Sequence, residues 1–142
     1  MAECTKAEKY YRLELEMRKR IHGEDSDHPE IAVLLNNLGN NYLKMKEYTK
    51  AEEFYKQSLD MRKRIHGEDS DHPNIAVALN RLGNNYSGMK EYSKADEYYR
   101  QSLDMYKRIH GDDSDHPDIV DLLRALGMTY DAMERRRRCK CM

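Results

Sequence analysis

A chain of 142 residues can bury one core, and its length is that of one domain. Charged residues make up 36% and mean hydropathy is −1.04, which leaves disorder or an elongated fold with much surface per residue. The presence of 11 tyrosines, and apolar residues recurring at helical spacing, decide for the elongated fold. With 25 basic and 26 acidic residues the net charge is −1. That balance exerts no long-range pull on nucleic acid or an anionic membrane, so neither is an expected partner.

The first predicted element is a helix over 6–21, carrying Ala7, Tyr11 and Glu14. The string IHGEDSDHP follows from Ile21 and returns from Ile65; IHGDDSDHP starts at Ile109. The period is 44 residues, so one supersecondary unit is copied along the chain. From Pro29, Ile31, Leu34, Leu35, Leu38 and Tyr42 recur at steps of three and four and predict a helix, A. Asp27 or His28 can cap it, Pro29 suits its first position, and Glu30 favours the positive end of its dipole. A short turn at Lys46-Glu47 leads to a second helix, B, over Thr49–Ile65, with Ala51, Phe54, Tyr55, Ser58, Leu59 and Met61 on its small and apolar stripes. Gly67 permits the left-handed turn that ends it. The pair repeats over 73–109, and a last A helix is predicted over 117–133.

The expected fold is therefore all-α: a right-handed α-solenoid of antiparallel helix pairs with about six helices. The array is expected over 1–134, with complete repeats at 29–65 and 73–109. Residues 135–142, with Arg135–Arg138 and Lys140, read as a basic, disordered tail. The cysteines, Cys4, Cys139 and Cys141, are odd in number and near the termini, which is not a disulfide framework. A reducing compartment is the simplest reading. No apolar run approaches the ~20 residues that span a bilayer, and MAECTKAEKYY lacks the apolar region of a signal peptide. The expected location is cytoplasmic.

Leu35, Leu38-Gly39 and Tyr42 on A, with Ala51, Tyr55 and Ser58 on B, resemble the tetratricopeptide repeat. Leu79, Leu82-Gly83, Tyr86, Ala95, Tyr99 and Ser102 repeat the set; Leu123, Leu126-Gly127 and Tyr130 begin a third. The leading helix matches at Ala7 and Tyr11 but has Glu14 where a small residue is expected. The period exceeds the usual ~34 residues, and the longer helices with a His-Pro connector are similar to repeats of kinesin light chains and nephrocystin-3. The resemblance implies a non-enzymatic adaptor that recognises other proteins.

In such stacks the A helices line a concave groove. Residues off the apolar stripe are expected there: Asn36, Asn37, Asn40 and Lys44, then Asn80, Arg81 and Asn84, with Arg124 on the last A helix. An amide offers both a donor and an acceptor, so this ladder suits the backbone of an extended peptide, while the arginines suit acidic groups. The expected partner is an extended, partly acidic peptide or protein. The alternatives are a self-assembling module, in which the terminal A helix of one molecule pairs head to tail with the leading B helix of another, and a membrane or nucleic-acid adaptor acting through the tail. No cofactor, catalytic residue or metal ligand is expected. The connector histidines and acids, such as His22, Asp25, Asp27 and His28, match no zinc spacing. The Asn85-Tyr86-Ser87 sequon reads as coincidence.

Overall fold

A computed structural model describes residues 2–141. The described residues form six helices and no strand: α1 (Ala2–His22), α2 (Pro29–Lys44), α3 (Tyr48–His66), α4 (Pro73–Gly88), α5 (Tyr92–His110) and α6 (Pro117–Cys141). They divide into two compact units, one of α1–α3 and one of α4–α6. No described helix is long and apolar enough to cross a membrane.

Local chemistry sets the boundaries. His28 takes an extended conformation and its Nδ1 accepts from the Glu30 N–H at 3.2 Å, so the histidine, not Asp27, caps α2. His72 caps α4 the same way through the Asn74 N–H at 3.1 Å. Asp27 instead pairs with Arg64 at 2.9 Å, and Asp71 with Arg108 at the same distance. Each A–B turn runs through a lysine in the left-handed region, Lys46 at φ 59° and Lys90 at φ 63°. Backbone bonds hold that conformation: in the first turn Lys46 N–H donates to Leu43 O, and Glu47 N–H to Tyr42 O, both at 2.9 Å.

In the first unit α2 packs between α1 and α3. Ser58 Oγ donates to Ala32 O at 2.8 Å, Tyr55 lies on Gly39, and Phe54 stacks on Tyr42 with centroids 5.5 Å apart. Contacts that climb α2 thus descend α3, so the pair is antiparallel. A Cβ added to Gly39 would lie 2.6 Å from the Tyr55 ring, which is why this position is glycine. On the other side Asn41 Nδ2 donates to Cys4 O at 2.8 Å, and the Tyr42 hydroxyl donates to Glu8 Oε1 at 2.6 Å while accepting from Arg12.

The second unit repeats the pair. Ser102 Oγ donates to Ala76 O at 2.7 Å, Tyr99 lies on Gly83, and Tyr98 stacks on Tyr86. Here α6 packs on α5, burying Ile119, Leu122, Leu126 and Thr129, and Arg100 donates to the Tyr130 hydroxyl as Arg12 does to Tyr42.

Two expectations change. The first helix begins at Ala2, before residue 6. The basic segment from Arg135, expected as a disordered tail, continues α6 as helix to Cys141; Met142 lies outside the described residues. Acidic residues one turn earlier stabilise it: Asp131 pairs with Arg135, and Glu134 with Arg137 and Arg138. Arg136 also donates to Lys90 O at 2.7 Å, tying this extension to the α4–α5 turn.

Candidate functional site

On α2 the strip left open between two packed flanks is Val33, Asn37, Asn40 and Lys44. Its counterpart on α4 is Val77, Arg81, Asn84 and Gly88. These positions fall at steps of three and four and so share one face of each helix.

The expected amide ladder is partly redistributed. Asn36 is only 8% exposed and its Oδ1 has no hydrogen-bond partner, so it does not stand on an open groove wall. Its counterpart Asn80 is half-buried. Asn40 and Asn84 do reach the open strip, and each is held by a tyrosine of its own unit. Tyr55 donates to Asn40 Oδ1 and Tyr99 to Asn84 Oδ1, both at 2.6 Å. Both phenols are buried, and burial pushes the Tyr99 hydroxyl up to about 12, so it stays a donor through the physiological range. With each oxygen engaged, the amide NH₂ is the group left for a ligand.

Asn37 lines a hollow of about 250 Å³ between α1 and α2, with Val33 and Leu34 in its wall and Glu14, Arg18 and Glu30 at its rim. Arg18 is already engaged, pairing with Glu14 at 2.8 Å and with Glu30. Arg81 is half-buried, and its Nε is enclosed without a hydrogen-bond partner. Lys44 and Arg124 are exposed. The residues that sequence reasoning missed are Val33 and Val77 on the strip, and Tyr55 and Tyr99 behind the asparagines. The constant 15-residue step from Asn40 to Tyr55 and from Asn84 to Tyr99 was the available signal.

A larger hollow, about 420 Å³, lies at the first connector among Lys19, Asp25, Asp27, Asp60 and Arg64. Its charges are mixed in sign, and Asp27 is already spoken for by Arg64. At the same connector His22, His28 and Glu30 bring ligand-type atoms within 4.8 Å of one another. The two imidazoles stack with centroids 3.6 Å apart and planes 15° off parallel, and His28 Nδ1 is taken by the cap. A metal ligated by imidazole lies in the ring plane along a nitrogen lone pair. Two nearly parallel stacked rings do not aim their lone pairs at one point, so the group serves as a helix cap and ring stack. The Asn85 sequon lies inside α4 with Asn85 fully buried, closed to modification in the folded chain.

The tetratricopeptide-repeat family model matches residues 1–64 and 30–108, and the chain belongs to that family. Among solved structures, it resembles BtubC (BKLC) from P. vanneervenii, with TM-score 0.82 at 22% identity over 99% of this chain and 54% of that one. It also resembles a kinesin-light-chain-type protein of Podosopora anserina with nearly identical TPR-like repeats. Two of that protein's structures match: its Q17M form with TM-score 0.73 at 16% identity, and a second with 0.70 at 17%, each over 98% of this chain and 63% of the other. At these identities the likeness shows the fold. The chain spans between half and two thirds of the length of these structures. A comparison with curated proteins finds no match.

Proposed function

We propose that this chain is a non-enzymatic scaffold that binds an extended, partly acidic segment of another protein on the open faces of its A helices. The carrying observation is the tyrosine-held asparagine on each complete pair. Fixing the amide oxygen leaves the NH₂ pre-oriented to donate to a peptide carbonyl, and the ordering entropy is met during folding and not on binding. A backbone carbonyl is common to every peptide, so such contacts confer affinity without demanding a particular side chain. Each contributes ~1 kcal/mol net. Val33 and Val77 offer apolar contact beside the amides, and Lys44 and Arg124 favour acidic neighbours.

The test must separate binding from folding. Asn→Ala would leave a buried tyrosine hydroxyl without its acceptor. Asn→Asp keeps the acceptor, removes the NH₂ donors and adds a charge that repels an acidic peptide. The double variant Asn40→Asp, Asn84→Asp should keep its helicity and Tm and lose binding to peptides selected from an acid-biased library by about tenfold or more. Binding equal to wild type would refute the reading. The faces left open on α1 and α6 support a second reading, a self-assembling module, which rests on other residues.

A further inference from the structure

Each A helix carries a glycine at the same repeat position, and two of the three lie under a tyrosine ring. A Cβ on Gly39 or Gly83 would come within 2.6 Å of Tyr55 or Tyr99, whereas on Gly127 it would meet nothing within 4 Å. Glycine weakens a helix interior, and nothing in α6 uses the space it leaves. Around Gly127, Val120, Leu123 and Tyr130 are exposed, at 53%, 52% and 44%. One period earlier, Ala76, Leu79 and Tyr86 are buried.

The matching half is on α1. Tyr10 and Tyr11 stand one period before Phe54 and Tyr55, the rings that cover Tyr42 and Gly39. Tyr10 is 67% exposed, with Leu13 and Met17 beside it on the same open face. Tyr130 is already oriented by Arg100 as Tyr42 is by Arg12. Tyr11 is half-buried. One helix therefore carries an empty socket and another carries a matching pair of rings.

We propose that α6 of one molecule packs on α1 of a second copy, with Tyr11 over Gly127 and Tyr10 stacked on Tyr130. This specifies the contact behind the self-assembly reading and rests on that reading. The occupant is a second copy because α1 supplies both rings in the order and spacing that α3 and α5 use against their own A helices. One position opposes close docking. Glu14 stands where Ser58 donates to Ala32 O, and Val120 replaces that alanine. The intermolecular pair is accordingly looser than α2–α3, with Glu14 as its brake. Because the two faces differ, the contact is heterologous and extends into chains or rings.

Sedimentation equilibrium of the full chain over rising concentration tests this. The average mass of wild type should climb above 16.9 kDa. Gly127→Ala should weaken association by roughly tenfold or more, because its methyl meets the incoming ring. Its Tm should not fall, since within one molecule that methyl meets nothing. Tyr11→Ala should also weaken association, and an equimolar mixture of the two variants should stop at a dimer, since only one productive interface remains. Glu14→Ser should tighten association. A wild type that stays monomeric at every concentration overturns both the self-assembly reading and the contact. Association that persists unchanged in Gly127→Ala overturns the contact alone.

Discussion

Gly39 on α2 and Gly127 on α6 occupy the same position in the same repeat, yet one is sealed beneath an aromatic ring and the other faces open space. The A-helix motif therefore specifies a docking face, and whether that face is buried depends on the helix that meets it. Unit one shows the filled version: Ala32, Leu35, Gly39 and Tyr42 are all buried. In unit two both versions occur, filled on α4 and open on α6.

One methyl added at each glycine should have opposite effects. Gly39→Ala forces the methyl into the Tyr55 ring, which must shift together with its bond to Asn40. The expected loss is about 1–3 kcal/mol in chemical denaturation. Gly127→Ala removes a helix-interior glycine without a clash, and the expected change is a gain of up to about 1 kcal/mol at concentrations where the chain is monomeric. Equal effects at the two sites would erase the distinction.

A second test exploits the buried phenols. Burial pushes both Tyr99 and Tyr106 up to about 12. A phenol raised in the fold contributes stability that is complete below its ordinary value near 10 and is lost as pH climbs toward its folded value. Helical circular dichroism and tyrosinate absorbance should therefore change together between about pH 10 and 12. Tyrosinate formation at Tyr99 without loss of helix would contradict the buried, hydrogen-bonded placement. At the acid end, the hydrogen bond from Tyr42, followed by the attraction of Arg12 against the opposing effect of burial, holds Glu8 below the usual carboxylate range. Its contribution is present above about pH 4 and fades as pH falls through the lowered value.

The smallest expected effect is at the connectors. Asp27→Asn removes the pairing with Arg64, and Asp71→Asn that with Arg108. These pairs are solvent-accessible, so each substitution should cost at most about 0.5 kcal/mol, and the difference should vanish in high salt. A larger, salt-insensitive loss would mean the connectors organise the helices more strongly than their exposure suggests.

The repeat and its helix pairs were legible because periodicity acts locally, and Gly39 and Gly83 stood out as fixed positions of the motif. The identity of the open strip was harder to read. Taking everything off one apolar stripe as exposed works for a helix packed on one side, but α2 is packed on two, so Asn36 and Asn41 are enclosed and the strip of Val33, Asn37, Asn40 and Lys44 stays open. The coupling of Asn40 to Tyr55 depends on the antiparallel pairing, which a single helical wheel does not display. The helical end of α6 went unread because four consecutive arginines suggest repulsion, whereas Asp131 and Glu134 sit one turn earlier to offset it. The uncovered state of Gly127 depends on what packs against α6, and residue type alone does not reveal it.

The most direct measurement of the proposed binding mode is an amide NMR titration of isotope-labelled protein with the library-selected acidic peptides. The side-chain NH₂ resonances of Asn40 and Asn84 should shift in step with saturation while the helices stay intact. Saturable binding that leaves both of those NH₂ groups unmoved would show that the peptide docks elsewhere.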